Sequence, residues 1–345
     1  MIYDHAVIGS GFSGYSVVSL LKGKSKVCVI SPASYRFAKD GYHRNKGLEF
    51  NRPFNKQYQS FMKSIWHIGA NRIVDRLSLN GSSSLWGGTV DLEKDCRLFS
   101  RLEEIKILNL NRDLPGLKCN RELGVMVGRD GRIFETWKGF FSTYKDFVDG
   151  YVETIQKSDA GHLELKVTDG SSESTIKAHK VVICTSVPQL IQLLISSNLV
   201  PDEFKFSLND HRMTFTTYKS VVDPRDCKVS YKPMVGLSRK LGLRVLYFPG
   251  FGIGPYVVDQ TFTANDEKME YVVKGKEPAV ITTTNPESDF GKSIHYYGLT
   301  INDVPVTRYL STVSENIFNV GHSTVLPDKP GPLTNYLLEC AAQLA

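Results

Sequence analysis

A glycine turn between two short apolar strands, a return to the same strand–turn–helix pattern near the far end, and a β-rich stretch between them predict an α/β chain. They predict a Rossmann-type nucleotide-binding domain into which a β-rich (α+β) domain is inserted. The chain has 345 residues, beyond the size at which a single hydrophobic core usually stops growing. Its 41% hydrophobic and 23% charged residues are an ordinary globular balance.

The first element is the strand Tyr3 to Ile8, followed by Gly9-Ser10-Gly11-Phe12-Ser13-Gly14 and a helical apolar spacing from Tyr15 to Leu21. Lys26 to Ile30 forms the second strand, completing a unit of about 30 residues. Gly9 permits the tight turn, Gly11 lets backbone approach a pyrophosphate, and Gly14 allows the helix to pack closely. The helix start offers outward-pointing N–H groups and a positive dipole end to phosphate. An acidic residue is expected at the end of the second strand to hold the ribose hydroxyls. Ser31-Pro32 stands there instead, so Ser31 can bond a ribose only as a neutral hydroxyl.

Between Ala33 and Asn80 the periodicity is weak, which predicts loops with one helix near 57–65. This stretch holds Arg36, Lys39, Arg44, Lys46, Arg52, Lys56, Lys63, Arg72 and Arg76 against Asp40, Glu49 and Asp75. The surplus equals the formal charge of the whole chain, +6. Two readings stay open: a solvated basic face, or a landing surface for an anionic substrate, a carrier protein or a membrane surface. No nucleic-acid-binding module accompanies the charge.

Further on, Phe140 to Val148 reads as a helix, and 151–156, 162–168 and 174–177 alternate as an antiparallel meander. Val181 to Cys184 is another buried strand, followed by a helix through Leu190 to Ile195. From Phe206 to Leu299 several strands are expected, among them Met213 to Lys219, Leu243 to Phe248 and Glu270 to Val273. Strand Ile317 to Val320, a turn and a helix from Leu333 to Leu344 close the pattern. The expected nucleotide-binding domain is therefore discontinuous: 1–35, 78–100, 145–205 and 305–345. The segments 36–77, 101–144 and 206–304 form the insertion and substrate domain.

The six cysteines lack metal-like spacing, and no metal site is expected. Their scatter fits a reducing compartment. No apolar run is long enough to span a membrane, and the strand beginning at Ile2 leaves no room for a signal peptide ahead of it. Together these point to a cytoplasmic protein.

Three stretches resemble the glucose–methanol–choline oxidoreductases. Ser82-Ser83-Ser84-Leu85-Trp86-Gly87-Gly88 is similar to that family's flavin loop, and Lys180 to Leu190 to its strand and turn after the meander. Asn319 to Pro327 with Gly331-Pro332-Leu333-Thr334 resembles its closing element, in which a helix start faces the flavin. The resemblance implies FAD, held by the glycine turn and Ser31, by Ser83, Ser84, Trp86, Gly87 and Gly88, and by Val152 through its backbone. Cys184, Thr185, Gly321, His322, Pro332, Leu333 and Thr334 complete the implied set. Thr185-Ser186 departs from the usual Ala-Gly.

His295-Tyr296-Tyr297-Gly298 occupies the place of the family's H-x-x-G element, so His295 is the implied catalytic base. The family's second catalytic residue aligns with neither Asn335 nor His322. Tyr296, Tyr297 and Tyr336 are candidates either to line a pocket or to fill the core.

The expected activity is hydride transfer from a hydroxyl-bearing carbon of a small or carrier-bound substrate to the flavin. Two other classes stay open: a flavin-dependent mutase, or other net non-redox enzyme, acting on an anionic, nucleotide-linked substrate, and a non-catalytic flavin-binding protein. The absence of a GxSxG elbow and of a zinc motif argues against hydrolysis.

Overall fold

The computed structural model describes residues 1–32, 62–68, 71–77, 89–94, 96–109, 118–119, 123–129, 134, 136–169, 171–220, 228–229, 231–234, 240–243, 257–274, 280–284, 292–325 and 333–344. Its first unit runs β1 (Ile2–Ile8), α1 (Phe12–Leu21), β2 (Val27–Ser31). After the intervening segments come β3 (Phe147–Asp149), β4 (Tyr151–Lys157), β5 (Leu163–Thr168), β6 (Glu173–Ile183) and α2 (Val187–Ser196). Then follow β7 (Glu203–Ser220), β8 (Val257–Lys274), β9 (Lys292–Ile301), β10 (Val304–Pro305) and α3 (Val306–Val313). β11 (Ile317–Asn319) and α4 (Leu333–Ala342) close the series.

Five of these strands pair in parallel: β3 with β2, β2 with β1, β1 with β6, and β6 with β11. Numbered by appearance, the order is 3-2-1-4-5, that of a doubly wound nucleotide-binding half. β6 is long enough to serve two partners along one edge. Glu173 to Ala178 pairs antiparallel with β5, and Val181 to Ile183 pairs with β11. The meander β4–β5–β6 forms as its alternation predicts.

The parallel strands read as continuous apolar runs because both faces are covered. Ala6, Ile8, Cys28, Ile30, Val181 and Ile183 pack on one side with α2 and α3. Val7, Val27, Val29, Val182 and Cys184 pack on the other with α1 and α4. Helix α1 is seated on aromatic rings: Tyr15 lies 4.7 Å from Phe134 and 5.2 Å from Phe140, centroid to centroid.

A second sheet, ordered β8-β7-β9-β10, is antiparallel throughout. Its inner end shares the first core, since Phe204, Phe206, Leu208, Tyr296, Leu299 and Ile301 pack with α2 and α3. The expected strands Met213 to Lys219 and Glu270 to Val273 fall inside β7 and β8. Of the strand expected at Leu243 to Phe248, residues 244–248 lie outside the described residues, and Leu243 ends a strand that begins at Lys240.

Two expected helices are corrected. Of the helix expected near 57–65, residues 62–65 instead open a strand, Met62–Ile68, paired antiparallel with Asn71–Leu77 and Val280–Thr284, and 57–61 lie outside the described residues. Ile65, Trp66 and Ile68 are spaced as on a helix, but β-branched and aromatic residues suit a strand once partners flank it on both edges. Phe140 to Val148 makes only a 3₁₀ turn at Phe141–Thr143 before it extends as β3. That single turn stacks Phe140 on Tyr144 at 5.5 Å. The open edge of β2 then captures the chain, with Val29 N–H donating to the Asp146 carbonyl at 2.9 Å.

Among the described residues no helix is long and apolar enough to cross a membrane, and no group of side chains could hold a metal ion.

Candidate active site

The carboxyl ends of β1, β2 and β6 meet at the glycine turn. Gly9 has φ +110°, a conformation side chains rarely adopt, and a Cβ there would lie 2.7 Å from the Cys184 carbonyl oxygen. Its N–H donates to the Ile30 carbonyl at 2.9 Å, while Cys184 N–H donates to the Ile8 carbonyl at 2.8 Å. A Cβ on Gly14 would lie 2.0 Å from the Gly9 carbonyl oxygen, so the first turn of α1 rests directly on the glycine loop. Gly11 caps α1 with extended backbone, and its carbonyl accepts the Tyr15 N–H at 2.9 Å. The first turn of α1 contains no acidic residue. The positive end of the helix is thus left uncompensated by the helix itself.

Ser10 and Ser31 are both buried and share a hydrogen bond of 2.9 Å. Thr136 steadies this pair, its Oγ1 donating to the Ser10 carbonyl at 2.8 Å. Sequence reasoning missed Thr136, and no local signal could find it, since it lies 126 residues from Ser10. Asp149 was missed for a different reason. It ends β3 in register with Ser31, and the helical reading of the preceding residues concealed a strand end.

Across the switch between β1 and β6, Cys184 is buried, which pushes its thiol well above the ordinary range. Thr185 Oγ1 and Ser186 Oγ are buried without a hydrogen-bond partner among the described residues. Buried hydroxyls are normally paired, so two orphaned ones at a strand end beside a glycine cradle fit a bound polar group. Gly321 joins them: a Cβ on it would sit 3.5 Å from the Thr185 carbonyl oxygen. Its φ of 171° is extended backbone, so only this approach, not its conformation, concerns the site.

The closing element is knit to the same strand end. Asn319 Nδ2 donates to the Ile183 carbonyl at 2.8 Å, and Ser323 Oγ donates to Asn319 Oδ1 at 2.6 Å. Thr324 Oγ1 donates to the Gly321 carbonyl at 2.7 Å, and Tyr336 Oη donates to the Thr324 carbonyl at 2.7 Å. His322 begins the 3₁₀ turn at His322–Thr324. Thr334 is buried in the first turn of α4, and Leu333 opens that helix.

Asn335 is fully engaged elsewhere. Its Oδ1 accepts the Asp91 N–H at 3.0 Å and its Nδ2 donates to the Asp91 carbonyl at 3.0 Å. Its amide is a structural clamp on the strand that follows the serine-rich loop.

Val152 is buried in β4, where the pairing with β5 shifts register between Val152 and Thr154. His295 is in β9 opposite His211, and its backbone alone is described. Tyr296 and Tyr297 are buried in the cores on opposite sides of the parallel sheet. Gly298 has φ +66°, and a Cβ there would lie 3.0 Å from the Val325 carbonyl oxygen. The glycine of the H-x-x-G element is therefore demanded by backbone where β9 crosses the closing turn. Ser83, Ser84, Trp86, Gly87, Gly88 and Pro332 lie outside the described residues, as does most of the basic segment.

The strand order, the glycine turn at the switch point and the knitted strand ends define a dinucleotide-type α/β protein. Among solved structures, a pyridoxine 4-oxidase from Mesorbium loti shares this fold, with a TM-score of 0.56 over 99% of this chain and 98% of that one, at 12% identity. A geranylgeranyl bacteriochlorophyll reductase-like protein from Thermoplasma acidophilum aligns at a TM-score of 0.41 and 11% identity, over 99% of this chain and 77% of that one. No family model and no curated protein matches the sequence.

Proposed function

We propose that this chain is an FAD-dependent oxidoreductase of the glucose–methanol–choline type, acting on a hydroxyl-bearing carbon of a small-molecule or carrier-bound substrate. The observation that carries the reading is the cradle at the β1–β6 switch. There Gly9 and Gly14 leave no room for a Cβ, and the buried hydroxyls of Thr185 and Ser186 lack partners among the described residues. Support also comes from the fold shared along nearly the whole chain with a pyridoxine 4-oxidase, named for a compound that bears hydroxymethyl groups.

In this reading the glycine loop and the start of α1 receive the diphosphate, Ser10 and Ser31 face the ribose, and Thr185 and Gly321 border the cofactor across the switch. The serine-rich loop at Ser83, Ser84, Trp86, Gly87 and Gly88 and the segment Pro332 to Thr334 complete the set. Bound FAD would supply the two-electron acceptor for hydride leaving the carbinol carbon. His295 would take the hydroxyl proton as a neutral imidazole. The parallel-sheet segments form the cofactor domain, 206–304 contributes the substrate domain, and a cytoplasmic setting suits six cysteines scattered without metal-like spacing.

The test is a visible spectrum of the purified protein, followed by anaerobic titration with alcohols, sugars, sugar nucleotides and carrier-bound alcohols. A flavin spectrum that bleaches on addition of one alcohol class is expected. His295→Ala should slow that bleaching by about 10²-fold or more, the scale of a lost general base. A protein that stays colourless and refuses added FAD would overturn the reading. Bleaching unchanged in His295→Ala would overturn the role of that residue alone.

A further inference from the structure

The carboxyl end of β2 holds a serine where the dinucleotide fold ordinarily sets the carboxylate that grips the ribose. Asp149 ends the neighbouring parallel strand and is the register partner of Ser31. Immediately after it, Gly150 N–H donates to the Ser31 carbonyl at 3.3 Å, so the chain turns across the end of β2. Register partners on adjacent strands stand on the same face, about 4.8 Å apart. Alternation along the two strands identifies that face. Val29 and Phe147 pack on the α1 side, and Ile30 and Val148 on the other, so Ser31 and Asp149 both project on the α1 side. Ser10 of the glycine turn meets Ser31 there. A half-buried carboxylate thus stands one strand away from its usual place, beside a buried serine pair, on the face that carries the phosphate loop.

We infer that Asp149 is the ribose carboxylate of this protein, accepting hydrogen bonds from the adenosine ribose hydroxyls of bound FAD, with Ser31 as the neutral second contact. The inference rests on the FAD reading above. The chemistry favours Asp149 over Ser31 as the principal contact, because a carboxylate accepts two hydrogen bonds with charge assistance and a serine offers one neutral hydroxyl. Val152, the position implied for adenine, follows three residues later, so ribose and base contacts would come from one short run of chain.

The test measures FAD binding to the apoprotein by flavin fluorescence, with ADP, 2′-deoxy-ADP and 3′-deoxy-ADP as competitors. Wild-type protein should bind ADP about tenfold or more tightly than at least one deoxy analogue, the scale of one charge-assisted hydrogen bond. Asp149→Asn should weaken FAD by about tenfold or more and erase that preference, whereas Ser31→Ala should cost about threefold or less. The wild-type nucleotide preference needs no variant to fold, and thermal melting of apo Asp149→Asn separates lost binding from lost folding. Equal affinity of wild type for the three nucleotides, or a preference retained in Asp149→Asn, overturns the assignment while FAD binding stands. Wild-type protein that binds no FAD removes the cofactor reading and this inference together.

Discussion

Asn335 is buried with both ends of its amide bonded to the backbone of Asp91, so its substitution reads out as stability rather than chemistry. Asn335→Ala takes this acceptor from the buried Asp91 N–H, whereas the Asp91 carbonyl keeps the Lys94 N–H and the Cys96 thiol, both at 3.4 Å, so the cost is about 1–3 kcal/mol. Chemical denaturation should show that loss. A variant of wild-type stability with abolished turnover would instead make Asn335 a catalytic residue. Cys28 gives a second residue-scale prediction. Burial, aided by the charge of Asp146, pushes its thiol up to about 12 from an ordinary 9.0. In the unfolded chain the thiol ionises near its ordinary value, so between those values the folded state holds the extra proton. Stability must therefore fall as pH rises through that window, by at most about 1.4 kcal/mol per pH unit for one proton. Denaturation midpoints measured from about pH 8 to pH 10 should decline in wild type and decline less steeply in Cys28→Ala. At this scale the sequence was legible where chemistry is local. Spacing alone marks Gly9, Gly14 and Ser31, whereas the Thr136 bond to Ser10 and the pairing of Asp149 with Ser31 are contacts that no window of sequence contains.

The glycine turn and α1 act as one element, because the helix lies on the loop with no space for a side chain at the contact. Gly14→Ala would drive a Cβ into the Gly9 carbonyl, placed 2.0 Å away. The obstacle is backbone, so the helix must shift away from the strand. On the FAD reading proposed above, Gly14→Ala should lose the cofactor, giving colourless protein or none in the soluble fraction, while Gly23→Ala is the control for surface substitution. Nothing lies within 4 Å of a Cβ at Gly23, although its φ of +77° adds local strain. Colour and yield checked side by side decide it; a yellow Gly14→Ala protein would refute the close-contact account. Element type was legible for β1, α1, β2, the meander, β6, α2 and α4, where periodicity and turn residues agree. It failed for Phe140 to Val148 and for residues 62–65 of the helix expected near 57–65. There the apolar spacing is compatible with a helix, and pairing with a distant strand decided the outcome.

At the scale of the whole molecule, the α/β class was legible from the repeated strand–turn–helix pattern, but the strand order was not. The order 3-2-1-4-5 is decided by which open edges meet, and residue spacing does not encode that. Nor did the sequence show that β7 and β9 contribute to the core that β1, β2 and β6 share with α2 and α3. Phe206 and Tyr296 pack into it from the second sheet, so the β-rich region is joined to the nucleotide-binding unit by apolar packing.

The divided edge of β6 has a consequence for how the protein is made. The Ile183 carbonyl finds its Asn319 partner 136 residues further along the chain. A ribosome delivering the polypeptide from its amino end exposes that half-covered strand long before β11 emerges to cap it. Contacts so distant in sequence form slowly and leave intermediates open to aggregation. The strand end beside the glycine turn is then completed late, timed by the arrival of the last strand rather than of the first glycine.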